Sequence, residues 1–276
     1  MRVGALDVTA VDDGVGRVTP AQLYAAGGKE RPGKGARDED WAEHTGFLSS
    51  AGQLEMPVGT FLIRAGERVV LVDAGYGPQA PATVSGARLP ENLAAEGIGP
   101  ADITDVVLTH LHTDHIGWCA VDGVPTFPNA TYRCAAADWA YFVAGTGDTA
   151  FHRFAASTLA PIEDRFDTWA GESTLAPGLD VVPAAGHTPG SATIVLTSQG
   201  ERAVLLGDVV HHPVQLLDDA WERVVDVDET AARRAQRAIV ADLIRDRTPV
   251  VGAHFPGLRF GLIVDRDGRR RWEPLP

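Results

Sequence analysis

The run His110-Leu111-His112-Thr113-Asp114-His115 follows directly on the apolar segment TDVVLT, Thr104 to Thr109. Four metal-ligating side chains within six positions must be presented to one pocket, and few patterns constrain a fold as tightly. In an extended chain, residues two apart point the same way. His110, His112 and Asp114 can therefore converge as the strand ends. His115, at the turn into a following helix, reaches the same pocket from another direction. Imidazole together with carboxylate suits zinc and its neighbours among the divalent transition metals. The plain alternative is a chance cluster of surface histidines. Placement at a strand end, where ligands are commonly presented, weighs against it.

Three later positions extend the set. His187 sits in PAAGHTPGSAT, where Gly186, Pro189 and Gly190 make a rigid turn after a strand. Asp208 ends AVLLGD and His254 ends PVVGAH, each closing an apolar run. Any one of them alone reads as a cap or a satisfied surface group. With the first cluster they make a ligand set.

The rest of the chain supplies strands and helices to carry these loops. Val3 to Asp12 alternates as a strand. Val58 to Gly75 reads as a hairpin about Ala65-Gly66-Glu67. Further strands are expected at Leu179 to Pro183, Ala192 to Thr197, Arg202 to Leu206 and Pro249 to Ala253, with a short helix at Pro90 to Gly97. The clearest helix is Glu229 to Arg247, with Ala232, Ala235, Ile239 and Leu243 on its buried face, Asp228 as N-cap and Pro249 just past its end. Strand runs with intervening helices predict an α/β fold of packed sheets with helices outside. The stretch from Pro20 to Leu54 is polar and glycine-rich, with Trp41 and Phe47 to bury. It reads as a partly ordered arm or lid on a single domain spanning residues 1–276.

Composition narrows the partners. A net charge of −13 disfavours a nucleic-acid backbone, which calls for clustered cations. The one dense basic run, Arg269-Arg270-Arg271, reads as a solvated hairpin end. Cys119 and Cys134 are too few for a disulfide framework, and no apolar run is long enough to span a bilayer. The start lacks the features of a signal peptide, so the expectation is a soluble, cytoplasmic protein without a membrane or nucleic-acid partner.

The order H-x-H-x-D-H, then a separated His, Asp and His, resembles the metallo-β-lactamase superfamily, and all seven positions match between about Leu71 and His254. The resemblance implies an αββα sandwich holding two divalent metal ions, zinc first, with manganese, iron or cobalt as alternatives. His110, His112 and His187 would hold one ion. Asp114, His115 and His254 would hold the other, and Asp208 would bridge them. Asp73 in LVDAG matches the family's acid that orients ligands without binding metal. Two such ions, roughly 3.5–4 Å apart, share a water and lower its pKa toward neutrality. Asp114 would relay a proton to the leaving group.

Within the superfamily, Asp208 is unlike the true β-lactamases, His112 replaces the Glu of the flavodiiron branch, and the acidic charge disfavours the tRNA-processing nucleases. FPNATYRCAAADW and GDVVHHPVQ resemble the branch of acyl-homoserine-lactone lactonases and methyl-parathion-hydrolase-like enzymes, which are often dimers. The expected substrate is a small ester, lactone or organophosphate. The lactonases carry Tyr three residues beyond the bridging Asp, whereas this chain has His211, a candidate hydrogen-bond donor to an oxyanion. His212, Trp118, Trp41 and Phe47 are candidate substrate-binding residues. Simple packing is the alternative for Trp118, a contact with a second subunit for Trp41 and Phe47, and an exposed loop position for His211 and His212. Two other readings stay open: a phosphotriesterase or phosphodiesterase, and a metal-binding or sensing protein without turnover.

Overall fold

The computed structural model describes residues 1–24, 34–218, 220–221 and 223–276. Residues 25–33, within the expected arm, therefore lie outside the described residues.

Alternation of buried side chains builds the first sheet. It contains β1 (Arg2–Val3), β2 (Leu6–Val18), β3 (Leu54–Ala65), β4 (Arg68–Val72), β5 (Val84–Gly86) and β6 (Asp105–Val107). Beyond a small hairpin of β7 (Ala120–Val121) and β8 (Val124–Pro125), it continues with β9 (Thr131–Ala135) and β10 (Phe166–Trp169). Its order is β1-β2-β3-β4-β6-β9-β10, with β5 paired to β2. The β4–β6, β6–β9 and β9–β10 pairs are parallel. On β3, Phe61 and Ile63 face one core while Leu62 faces another, as a period of two requires in a sheet covered on both sides.

The second sheet runs in chain order: β11 (Ser173–Ala176), β12 (Leu179–Pro183), β13 (Ala192–Ser198), β14 (Glu201–Leu205), β15 (Val250–Val251), β16 (Gly261–Arg266) and β17 (Arg269–Pro274). Only β14–β15 is parallel. That pair needs a crossover, which α6 (Val214–Leu217) and α7 (Glu229–Asp246) supply. The sheets pack face to face through Val8, Phe61, Val72, Val181, Ile194 and Leu205. On the other face of the first sheet, α2 (Leu89–Ala95) and α5 (Ala150–Leu159) bury Leu93 and Leu159 against Leu71 and Val106. The expected αββα sandwich is the observed architecture.

One local reading shifts. Asp228 caps α7, accepting from the Ala231 amide at 2.9 Å, but the buried stripe is Ala232, Gln236, Val240 and Leu243. Ala235 and Ile239 are only half-buried. The stripe turns because Gln236 spends its burial on a hydrogen bond, its Nε2 donating to the Gln215 carbonyl at 2.9 Å. Near the arm, α1 (Pro20–Leu23) gives Leu23, which joins Tyr24, Trp41, Leu54, Met56, Val214 and Trp221 in a separate small core. The run Arg269-Arg270-Arg271 opens β17 and pairs with β16 at a hairpin end.

Candidate metal centre

The four ligand-type loops leave strands at one edge of the sandwich. His110 and His112 follow β6, and α3 (Thr113–Ile116) carries Asp114 and His115 in a single turn. His187 follows β12, Asp208 follows β14, and His254 follows β15. The loops are tied to one another by backbone and carboxylate contacts. The amide of Ala74 donates to the His115 carbonyl at 2.7 Å, and that of Gly117 to the Gly75 carbonyl at 2.7 Å. A Cβ on Gly117 would lie 1.8 Å from the Tyr76 carbonyl oxygen, so only glycine permits this approach.

The side chains converge on Asp208. Its Oδ2 lies 3.8 Å from His110 Nε2, 3.5 Å from His115 Nε2, 3.6 Å from His187 Nε2 and 3.4 Å from His254 Nε2. His254 Nε2 is also 3.4 Å from Asp114 Oδ2. His110, His112 and His187 form one group able to hold an ion, and Asp114, His115 and His254 another; His110, His115 and Asp208 also group. The Nε2 atoms of His110, His115 and His187 and Oδ1 of Asp208 are buried with no hydrogen-bond partner. Leaving such atoms unpaired costs about 1–3 kcal/mol each, a cost that divalent ions at these positions would remove.

The far side of each ring explains this orientation. His115 Nδ1 donates to Asp73 Oδ2 at 2.8 Å, His187 Nδ1 to Asp226 Oδ1 at 2.9 Å, and His254 Nδ1 to the Pro57 carbonyl at 2.7 Å. An imidazole that donates through Nδ1 keeps the lone pair on Nε2, the form a metal ion requires. Asp73, held at φ +62, also accepts from the Thr109 amide at 2.8 Å and from its hydroxyl. Burial holds His110 and His187 well below the usual imidazole range and brings His112 down to about 4, so all three are neutral at pH 7. Burial opposes charge on Asp208, His115 and His254 alike, but attraction between the carboxylates and these rings outweighs it: Asp208 is held well below the usual carboxylate range, while His115 and His254 are raised above the usual imidazole range.

A cavity of about 250 Å³ opens onto these groups. His112, Asp114, Asp208, His211 and His254 line it, with an apolar wall that includes Leu23, Met56, Val58 and Phe151. Phe151 stacks on His112 with ring centroids 4.3 Å apart. Tyr76 also borders the cavity, and the nearby Asp114 carboxylate, with burial, pushes its phenol up.

The four residues expected to bind substrate lie elsewhere than this lining. Trp41 is buried in the small core beside Tyr24 and Trp221, its Nε1 donating to the Gly35 carbonyl at 2.7 Å. Phe47 packs edge-on to His212, with centroids 4.7 Å apart. His212 is wholly buried, its Nδ1 accepting from the Val214 amide at 3.2 Å. Trp118 turns away to donate to Asp13 Oδ1 at 2.7 Å. In each case packing in an apolar neighbourhood competes for the ring. Neither His211 nor His212 is the exposed loop residue that a histidine pair after a strand suggests.

The structure also assembles residues that sequence reasoning missed. Asp138, fully buried at the end of the one-turn helix α4 (Ala136–Asp138), accepts from the Leu111 amide at 3.1 Å, the Thr188 hydroxyl at 2.9 Å and the Gly190 amide at 2.6 Å. It thereby clamps the loop of His110 and His112 to that of His187. Asp226 and Arg223 sit behind His187 and His211. None of the three carries a local sequence signal, because each acts on residues far away in the chain.

Known proteins place this geometry in context. N-acyl homoserine lactonase AiiB of Agrobacterium fabrum is 34% identical over 84 residues, which are 25% of this chain and 30% of that protein. Ribonuclease Z of Mycobacterium bovis is 32% identical over 175 residues, 57% of this chain and 58% of that protein. The chain thus spans under two thirds of the length of either relative. Among solved structures, AidC, a dizinc quorum-quenching lactonase in complex with a product, N-hexanoyl-L-homoserine, superposes with a TM-score of 0.84. That match covers 100% of this chain and 96% of AidC at 20% identity, and so shows the fold alone. The profile of the metallo-beta-lactamase superfamily matches residues 55–254, from β3 to the last of the converging histidines, and the chain belongs to that superfamily.

Proposed function

We propose that the chain is a dinuclear metal-dependent hydrolase that opens a lactone or cleaves an ester of a small, largely apolar molecule. The observation that carries this reading is the set of unpartnered Nε2 atoms of His110, His115 and His187 gathered around Asp208, whose carboxylate, with His112, Asp114 and His254, lines an apolar-walled cavity. His110, His112 and His187 would hold one ion, Asp114, His115 and His254 the other, and Asp208 both. Bound zinc ions would supply a water ionised near neutral pH and withdraw charge from the carbonyl oxygen under attack.

The chain's own residues do the rest. Leu23, Met56, Val58 and Phe151 take the apolar part of the substrate and keep bulk water from it. Asp114, half-buried at the cavity wall, takes a proton from the attacking water and passes it to the leaving alkoxide. His211 hydrogen-bonds to the developing oxyanion. Gln22 and Leu23, described residues at the start of the arm, border the cavity beside Val18 at the end of β2, which supports a lid role for the start of the arm. A net charge of −13 supports a small-molecule substrate over RNA, despite the ribonuclease Z relative.

Proton release from a medium-chain acyl-homoserine lactone, by zinc-loaded and chelator-stripped protein side by side, tests the reading. Ring opening that is lost with the metal and restored by zinc is the expected result. Failure to hydrolyse lactones and aryl esters alike would overturn the ester reading, and turnover of a phosphotriester in the same samples would assign the site to phosphoryl chemistry.

A further inference from the structure

His211 faces the same carboxylate as the other histidines, with Nε2 3.1 Å from Asp208 Oδ2, and it can be grouped with His187 and Asp208 as a possible ion site. Its other nitrogen sets it apart. His211 Nδ1 lies 2.9 Å from Arg223 Nη1. A guanidinium only donates; Nη1 shares its two hydrogens among His211 Nδ1 and the Asp208 and Val209 carbonyls, and an Nδ1–H would meet those hydrogens head-on, so the ring proton sits on Nε2. His115, His187 and His254 have the opposite arrangement, with Nδ1 donating to an acceptor.

Arg223 is itself fixed. It is 2% exposed, its Nη1 also donates to the carbonyls of Asp208 and Val209, and its Nε donates to Asp226 Oδ2 at 3.1 Å. Nη2 lies 3.0 Å from Asp226 Oδ1, the oxygen that accepts from His187 Nδ1. One Arg–Asp pair therefore presents a donor to one histidine and an acceptor to its neighbour, whose rings are 4.8 Å apart.

We propose that Arg223 is a positioning residue that locks His211 as the Nε2–H tautomer, making His211 a dedicated hydrogen-bond donor into the cavity, neither a metal ligand nor a general base. An Nε2 that carries its proton has no lone pair for an ion and cannot take a proton from water. Nε2 lies 3.1 Å from Asp208 Oδ2 and His211 lines the cavity, so a substrate oxygen gaining negative charge there would compete with that carboxylate for the hydrogen. Proton transfer then stays with Asp114, which also lines the cavity. The catalytic part of the proposal rests on the hydrolase reading; the tautomer does not.

Nitrogen-15 spectra of the zinc-loaded protein test the tautomer directly, with the His211 signals assigned by their loss in His211→Gln. The expected pattern is a protonated Nε2 and an unprotonated, hydrogen-bonded Nδ1 for His211 alone among the five histidines around Asp208. A protonated Nδ1, or a zinc-shifted Nε2, would overturn the proposal, and this reading holds whether or not any ester is turned over. In turnover, His211→Gln keeps an N–H near the position of Nε2 and should stay within about tenfold of wild type. His211→Leu should lose about 10²–10³ in kcat with KM little changed. Arg223→Lys keeps the charge but not the fork, and should release His211 into a tautomer mixture with an intermediate loss of kcat. Equal losses in His211→Gln and His211→Leu would refute the donor role, and an unchanged His211 spectrum in a folded Arg223→Lys protein would refute the positioning role.

Discussion

Replacing Asp73 by asparagine exchanges one oxygen for an NH2 group and leaves the shape alone. Asparagine also tolerates the left-handed backbone at this position, φ +62. In the wild type, Oδ1 accepts the Thr109 amide at 2.8 Å and Oδ2 accepts His115 Nδ1 at 2.8 Å. The amide side chain has one acceptor oxygen for these two donors. The Thr109 amide cannot give up its proton, so the oxygen stays there and the new NH2 faces His115. His115 can respond only by moving its proton from Nδ1 to Nε2. That Nε2 is wholly buried, 3.5 Å from Asp208 and 3.8 Å from Asp114, and it would no longer offer a lone pair to an ion. Loss of such a supporting partner weakens metal binding about 10–100-fold, or about 1.4–2.7 kcal/mol. Titration of stripped Asp73→Asn with zinc against a chromophoric chelator measures the effect, and thermal unfolding of the stripped protein checks the fold. One of two ions should bind more weakly by that factor. Two ions bound with wild-type affinity in a folded variant would refute the tautomer argument.

Burial pushes the Asp138 carboxyl up to about 6 although three donors face it. Between the unfolded value near 4 and about 6, the native state holds a proton that the unfolded chain has lost, so this group's contribution to stability falls as pH rises through that window. Asparagine does not titrate; the stability of wild type relative to Asp138→Asn should therefore fall by about 1.4 kcal/mol from pH 5 to pH 7. Urea unfolding of the stripped proteins at both pH values checks this, and a pH-independent difference would sink it. Gly117→Ala drives a methyl into the Tyr76 carbonyl, which is backbone and cannot swing aside. The variant should lose about 2 kcal/mol or more together with zinc binding through Asp114 and His115; a wild-type unfolding midpoint would count against the close approach. Phe151→Ala removes an apolar face of the cavity that stacks on His112. For apolar substrates KM should rise about tenfold with a smaller change in kcat, and steady-state kinetics showing unchanged KM would place the substrate elsewhere.

The sequence by itself determined the candidate ligand types and their order, because their spacing is local. The cluster after TDVVLT and the apolar runs before Asp208 and His254 are readable along the chain. The strand alternation expected to align Asp114 with His110 and His112 is not what the structure has: β6 stops at Val107, and Asp114 shares the helical turn of α3 with His115. The sequence also determined the layers, since period-two burial on strands and a period near 3.6 on α7 are imposed by backbone geometry. Tertiary structure decided everything that depends on residues far apart in sequence. His115 is aimed by Asp73, His254 by the Pro57 carbonyl, His187 by Asp226, and His211 by Arg223. A histidine reads the same in a sequence whichever nitrogen carries its proton, so the contrast between ligand and donor appears only when its neighbours are in place. Trp41, Phe47, Trp118 and His212 illustrate the same limit. Each is an aromatic near the right loop, and only the competition for burial shows that the small core, the His212 contact and Asp13 claim them while Leu23, Met56, Val58 and Phe151 face the cavity.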